Sequence, residues 1–140
     1  MIEHRDQDLA AAELQGELRD LLALAVVGDH VRWVLISDEA AEFAEWLAEA
    51  VTRWRSLADR VATHLVKLGV PPDGRVRSLV DDIPLNWVPE GWLRPDEARR
   101  LFEDRLRLLA GWARYRRSQA ADPDTVRLLD AVCAGLERSP

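Results

Sequence analysis

AAEFAEWLAEAVTRWRSLADRVATHLVKLG, residues 40–69, is the stretch that decides the fold. Its apolar residues recur at alternating steps of four and three over about seven turns of helix. They are Phe43, Leu47, Val51, Trp54, Ala58, Val61, Leu65 and Leu68. Ser37, followed by Asp38 and Glu39, predicts the start of this helix, and Gly69 followed by two prolines predicts its end. A seam of this length must pack against other helices.

Three further segments show the helical period, and none shows sustained two-residue alternation. The first runs from about residue 7 to residue 35. Pro95 before two acidic residues predicts another helix start, and Asp122–Pro123 is an N-cap and N1 pair that predicts a shorter last helix. The segment between Gly69 and Pro95 is rich in Pro, Gly and Trp, which predicts a connection with at most one short helix. We therefore predict an all-α four-helix bundle in a single domain, residues 1–140, with a long crossover between the second and third helices.

Composition excludes several classes of function. The formal net charge of −6 and the excess of acid over base in the first eight residues argue against DNA binding, which needs clustered Lys and Arg. The single cysteine, Cys133, excludes an internal disulfide framework and any multi-thiolate metal site, and its helical spacing predicts a small buried hydrophobe. The start lacks a signal-peptide pattern, and the longest apolar run is too short to cross a bilayer. We expect no membrane association and a cytoplasmic location.

Three ordered motifs resemble those of the Dps-type mini-ferritins. Arg32–Trp33 stands where that family has HW, and LADRVATHLVKLG, residues 57–69, is similar to its D-x-x-A-E-R-x-x-x-L-G. DPDTVRLLDAVCAGLE, residues 122–137, resembles its D-P-x-T-x-x-L-L-x-x-x-x-x-G-L-E. The resemblance covers nearly the whole chain, about residues 10–137. It implies a ferritin-like four-helix bundle that assembles into a hollow shell and that oxidises and stores iron.

The iron site of that family lies between two subunits and combines two histidines with carboxylates. An ungapped match that sets Asp59 on the family's aspartate places Arg32 and Ala44 at the two histidine positions, Ala48 at a second aspartate and Thr63 at the glutamate. Only Asp59 keeps a ligand-type side chain. The resemblance therefore implies a degenerate ferroxidase site, no catalytic residue and no resident cofactor, with iron left as cargo.

The histidine content offers little to restore such a site. The chain contains His4, His30 and His64 only. A small shift in register would bring His30 to the first ligand position, but it would break the matches at Arg32–Trp33 and Asp59 and would leave no second histidine. His64 lies about 140° around the helix from Asp59, so the two do not share a face. We expect His64 to be solvated or at an interface.

Arg32 projects from the apolar side of the first helix, where a charge needs a partner. One hypothesis is an ion pair between Arg32 and Asp59, within the chain or across a dimer interface, that replaces the charge of iron. The alternative, of equal standing, is that Arg32 extends to solvent. Small residues beside Asp59 on one helical face predict a close contact in a dimer. They are Ala44, Ala48 and Ala62.

Two acidic strips recur at helical spacing. They comprise Glu42, Glu45 and Glu49 on the second helix and Glu13 and Glu17 on the first. Carboxylates at i and i+4 can share a hard cation, but solvated helix faces, offset by Arg53 and Arg19, are the favoured interpretation.

Six tryptophans are many for this length. Their spacing predicts Trp33, Trp54 and Trp112 in the core, and predicts that the other three face outward. The outward set is Trp46, Trp87 and Trp92. Exposed aromatic residues are typical of interfaces, so self-association is predicted.

Two hypotheses of function follow, from different classes. The first is a divergent Dps-like protein that forms a homo-oligomer or shell and serves iron storage or stress protection without the usual ferroxidase centre. The second is a non-enzymatic helical-bundle module that binds a protein partner through a Trp-rich surface. A small enzyme with an unfamiliar site is the third and least favoured hypothesis, because histidine is scarce.

Overall fold

The structure is a computed structural model that describes the backbone of residues 2–138 and 140 and the side chains of residues 8–138 and 140. Its helices are α1 (Ile2–Val34), α2 (Ala40–Lys67), α3 (Val76–Asp82), α4 (Pro95–Gln119) and α5 (Pro123–Leu136). The all-α bundle and the single short helix inside the crossover are confirmed. His4 and most of the acidic N-terminal start, on which part of the DNA prediction depends, lie outside the described side chains.

Local capping marks two of the helix ends, the start of α5 and the end of α2. Asp122 Oδ2 accepts a hydrogen bond from the Thr125 amide at 3.0 Å, so the predicted N-cap of α5 is confirmed. Gly69 has a φ of 79°, the left-handed conformation that commonly follows a helix. The predicted cap of α2 is wrong by two residues: Ser37 Oγ accepts from the Glu39 amide at 3.0 Å, and Glu39 is the capping position. Ser37 therefore closes the turn that precedes the helix.

The crossover follows α1 from one end of the bundle to the other. Near its start, Gln15 Nε2 donates to the Pro71 carbonyl at 2.9 Å. At its finish, the Leu93 amide donates to the Val34 carbonyl at 2.9 Å, and the Ile36 amide donates to the Leu93 carbonyl at 2.8 Å. Because the chain is carried back along the bundle, α2 and α4 run parallel, while α1 and α5 run the opposite way.

Aromatic rings fill the core at the end of the bundle where α2 and α4 begin. Trp54 and Phe102 stack with centroids 6.0 Å apart, and Phe43 meets Phe102 edge to face at 6.3 Å. All three are fully buried. Beside them, Gly28 lets α1 and α2 approach closely, since a Cβ there would lie only 2.6 Å from Val51 Cγ2.

The tryptophan predictions are only partly right. Trp54 is buried as predicted, but Trp33 and Trp112 are 68% and 50% exposed, because each lies beside its helix's buried stripe rather than on it. Trp92 is exposed as predicted. The outward prediction is wrong for the remaining two residues, Trp46 and Trp87, which are half-buried against the core. The rings of Phe43 and Phe102 supply apolar partners that linear spacing could not reveal.

Cys133 is buried and unpaired with sulfur, as predicted. In the described part of the chain, no helix is both long enough and apolar enough to cross a membrane.

Candidate functional site

A cluster of charged side chains lies inside the bundle between α1 and α4. Arg116 of α4 donates to Glu17, to Asp20 at 2.7 Å and to Glu13 at 3.2 Å. Glu17 is fully buried and Asp20 nearly so, whereas Glu13 is half-exposed at the edge. Three carboxylates thus converge on one guanidinium in an otherwise apolar core. We call Glu13, Glu17, Asp20 and Arg116 the buried charge cluster.

The predicted solvated face is therefore wrong for Glu17, and Glu13, although half-exposed, pairs with Arg116 rather than with the predicted Arg19. Glu17 follows Leu14 by three residues and precedes Leu21 by four, so it occupies a core position in the apolar stripe of α1. Arg116 likewise continues the buried stripe of α4, three residues after Ala113. A charge at a stripe position on each of two helices is the sequence signal that could have predicted this pair.

Burial controls the ionisation of the cluster. Removal from water raises the pKa of Glu17 to about 7, although the guanidinium of Arg116 acts to lower it. Burial also raises the pKa of Asp20 against the same opposing hydrogen bond. Burial raises the pKa of the Cys133 thiol as well, with the negative charge of Glu17 as a further cause. Glu17 is therefore a carboxyl group that changes protonation near neutral pH.

A cleft of about 1110 Å³ lies beside the cluster, at the end of the bundle where α4 connects to α5. Glu13 and Arg116 line one wall, and α2 and α5 contribute the opposite walls. Apolar side chains also line the cleft, among them Leu14, Leu128 and Leu129. The cleft therefore connects the buried charge cluster with solvent through its edge residue, Glu13.

His64 also lines this cleft and has a partner. Its Nε2 lies 2.8 Å from Thr125 Oγ1, and Asp122 Oδ2 lies 4.0 Å from the same nitrogen. The His64 side chain is only 13% exposed, so the solvated alternative is wrong within this chain, and the interface alternative stays a prediction. The N-terminal turn of α5 lies against this part of α2 and covers the ring.

Arg32 makes an ion pair with a residue of its own helix, and not with Asp59 of the same chain. It donates to Asp29, one turn away on α1, at 2.9 Å, and Arg55 of α2 donates to the same carboxylate at 3.0 Å. Burial acts to raise the pKa of Asp29, but the hydrogen bonds from the two arginines outweigh it and hold the pKa below its ordinary value. Asp59 lies one turn beyond Arg55, roughly 10 Å from Arg32 along the bundle axis. A contact between Arg32 and Asp59 of different subunits stays a prediction.

The remaining residues matched to the iron site do not form a metal centre within one chain. Ala44 and Ala48 lie near the start of α2, and Asp59 follows Ala48 by about 16 Å along the helix axis. Thr63 lies one turn beyond Asp59, and both line the cleft. Among the described residues, no group of three side chains of the types His, Cys, Asp or Glu could hold a metal ion. A single carboxylate with alanine and threonine neighbours does not fit a dinuclear iron centre.

The acidic strip on α2 differs from the acidic strip on α1 in its exposure to solvent. Its members, Glu42, Glu45 and Glu49, are all exposed, which confirms the predicted solvated face in this chain. The small residues on the matched face of α2 are half-buried. They are Ala44, Ala48 and Ala62.

The long antiparallel helices and the crossover along α1 define a ferritin-like four-helix bundle. Solved structures of Dps proteins share this fold. Dps92 from Deinococcus radiodurans superposes with a TM-score of 0.90 at 23% identity, over 95% of this chain and 82% of that chain. Dps from Mycobacterium smegmatis, in a tetragonal form, has a TM-score of 0.89 at 20% identity, over 95% of this chain and 82% of that chain.

Dps from Microbacterium arborescens, in its high iron form, has a TM-score of 0.87 at 19% identity, over 94% of this chain and 88% of that chain. No protein-family model matches the sequence, and no curated protein sequence matches it significantly. At these identities the likeness shows the fold. The resemblance to Dps-type mini-ferritins is confirmed at that level.

Proposed function

We propose that this chain is a Dps-like protein that forms a homo-oligomer and serves iron storage or stress protection without the usual ferroxidase centre between subunits. The shared fold supports the Dps-like part of the proposal. The high iron form of one structural neighbour supports iron as the cargo. Each remaining part of the proposal depends on particular residues and has its own test.

The observation that carries self-association is the exposure of two tryptophans at one end of the bundle. Trp33 is 68% exposed and Trp92 is 70% exposed. Their segments adjoin, because Leu93 is hydrogen-bonded to Val34 and Ile36. Large aromatic side chains held in water by a rigid scaffold favour burial against another surface. Trp33 also belongs to the RW motif that resembles the family's HW, so a second copy of this chain is the proposed occupant.

The proposed lack of a ferroxidase centre rests on donor chemistry. Of the five positions matched to the family's ligands, only Asp59 carries a side chain that binds iron readily. Arg32 adds a positive charge that would repel Fe²⁺ from the first histidine position. Iron held by such a particle would be bound by dispersed surface carboxylates and oxidised no faster than in solution.

The assembly can be tested by light scattering on the purified, sized protein, whose subunit mass is 15.9 kDa. We expect a closed, symmetric particle of about a dozen subunits, as the resemblance to shell-forming proteins implies. Trp33→Glu should reduce the particle to smaller species, whereas Trp112→Glu, on α4, should leave it intact. A monomer at all concentrations would contradict the proposal.

Iron chemistry can be tested on the same particle. Metal analysis of the native protein should find bound iron. Fe(II) with oxygen or peroxide should be oxidised at the same rate with the protein as in buffer. Faster oxidation that Asp59→Ala abolishes would show that a ferroxidase centre exists and that this part of the proposal is wrong.

A second candidate function is supported by an exposed ridge on α4. Leu108, Trp112 and Tyr115 are each about half-exposed, and the rings of Trp112 and Tyr115 meet edge to face at 6.2 Å. This ridge suits a helical module that binds a different protein. Two results together would favour this interaction module over the Dps-like assembly. Trp112→Glu would abolish a complex with a different protein, and Trp33→Glu would leave the oligomeric state unchanged.

A further inference from the structure

The buried charge cluster joins α1 to α4 with an excess of negative charge. Glu13, Glu17 and Asp20 all bind Arg116, which is the one guanidinium in contact with them among the described residues. Glu17 Oε1 is buried and makes no hydrogen bond to a described protein group. An ionised Glu17 would therefore place one carboxylate oxygen away from both a partner and solvent, which is costly in an apolar interior.

The surrounding elements supply little compensating charge. On α4, Arg105 acts on Asp20 through space, but its Nη2 donates to the Pro84 carbonyl at 3.3 Å. On α5, the nearby titratable group is the Cys133 thiol, whose pKa is raised by burial and by the negative charge of Glu17. The buried residues of α2 and α3 are all apolar. The protonation state of Glu17 is consequently the main variable that can balance the charge.

We propose that Glu17, Asp20 and Arg116 form a proton-linked latch between α1 and α4, which holds the cleft end of the bundle closed while Glu17 is protonated and loosens it when Glu17 ionises. With Glu17 neutral, Arg116 and Asp20 form a balanced pair and Glu13 lies at the edge. With Glu17 charged, the excess negative charge is relieved by water. Since Glu13 and Arg116 line the cleft, water reaches the cluster by that route.

The direction of the pH dependence follows from burial. Burial raises the pKa of Glu17 to about 7 from its ordinary value of 4.5. The closed state is therefore favoured most below about pH 4.5, and this advantage is lost as the pH rises through 7. The latch changes state near neutral pH, and it does so independently of the proposed iron function.

Hydrogen exchange of the full chain tests the latch. Protection factors, corrected for intrinsic exchange, are measured at pH 6 and pH 8 for residues 10–20 of α1 and 110–119 of α4, with residues 43–54 of α2 as an internal reference. In the wild type we expect the protection factors of both latch segments to fall about tenfold or more between pH 6 and pH 8. A tenfold change in the opening equilibrium corresponds to a difference of one pKa unit. The reference segment should not change. Equal protection at both pH values would overturn the proposal.

Variants separate the latch from other titrating groups. Glu17→Gln should remove the pH dependence, while Glu13→Gln at the edge and His64→Gln in the same cleft should keep it. If the protection factors of Glu17→Gln fell between pH 6 and pH 8 as much as those of the wild type, the latch would also be overturned. If Glu17→Gln does not fold, NMR titration of the Glu17 carboxyl carbon in the wild type decides instead. A midpoint near 7 that coincides with shifts of α4 amides supports the latch, and a midpoint near 4.5 refutes it.

Discussion

Between the start of α4 and the middle of α2, the rings of Phe102 and Trp54 stack in the core, whereas toward the opposite end Glu17 and Arg116 occupy the same kind of stripe position. The aromatic end is held by apolar contacts that do not change with pH. The charged end opens onto a cleft of about 1110 Å³ and contains a carboxyl group with a pKa of about 7. One bundle thus combines a rigid half with a half whose packing depends on protonation.

The largest expected effect is at the aromatic end. Trp54→Ala removes a fully buried ring that contacts Phe102 and Trp46, and should lower the free energy of unfolding by about 3–5 kcal/mol at any pH. Urea denaturation measures the loss. Trp92→Ala is the matched control and should change stability by less than about 0.5 kcal/mol before assembly, since its ring is exposed. Equal losses in the two variants would show that the aromatic end is not the rigid half.

At the charged end, the loss of unfolding free energy caused by a substitution should depend on pH. Arg116→Met leaves Glu17 and Asp20 without their counter-charge, which should cost about 3 kcal/mol at pH 8. The loss should be smaller at pH 5, because the carboxyl groups can then take up protons. Urea unfolding at both pH values measures the difference. Arg107→Met removes only an exposed pair with Asp104 and should cost less than about 0.5 kcal/mol at either pH. A pH-independent loss in Arg116→Met would contradict the role of protonation.

Close packing of α1 against α2 gives the next effect. Gly28→Ala adds a methyl group 2.6 Å from Val51 Cγ2 and 3.2 Å from Trp54 Cζ3, and should cost about 1–3 kcal/mol through overpacking. Gly111→Ala has open space around the added group and should stabilise α4 by up to about 1 kcal/mol. Thermal unfolding of the pair checks both signs. A stabilising Gly28→Ala would mean that the two helices can separate at this point.

The smallest effect concerns the cap of α5 beside the cleft. Asp122→Ala removes the acceptor for the Thr125 amide and should cost about 1 kcal/mol. The backbone hydrogen bond from Thr125 lowers the pKa of Asp122, so this contribution is present above the ordinary pKa and is lost as the pH falls through the lowered value. Asp104→Ala, exposed in mid-helix, is the control. An equal change in both variants, measured by thermal unfolding at pH 7, would argue against the cap.

Several features of the fold could be predicted because they depend on local periodicity. The apolar stripe of residues 43–68 predicted α2, and Pro95, Asp122 and Gly69 marked helix ends correctly. The predicted start of α2 was wrong because the Ser37 hydroxyl caps the preceding turn instead of the helix. Side-chain capping is local, but which of two adjacent turns becomes helical depends on how the chain enters the bundle.

The candidate site was harder to predict. Glu17 looked like part of a surface strip because its partner, Arg116, is 99 residues away in the sequence. Asp29 was likewise not predicted as the partner of Arg32, because the match to the iron ligands favoured Asp59 instead. Charge pairs between helices depend on the relative axial position and rotation of the helices, which linear spacing does not contain.

The sequence by itself determined the helices, the crossover and the resemblance to Dps proteins, because periodicity, caps and ordered motifs are properties of neighbouring residues. It also determined that four of the five positions matched to iron ligands carry other side chains. Only the tertiary structure decided that Trp33 is exposed, that Glu17 is buried with Arg116 and that a cleft opens beside them. These properties arise where separate helices meet, and burial there determines which groups keep a proton.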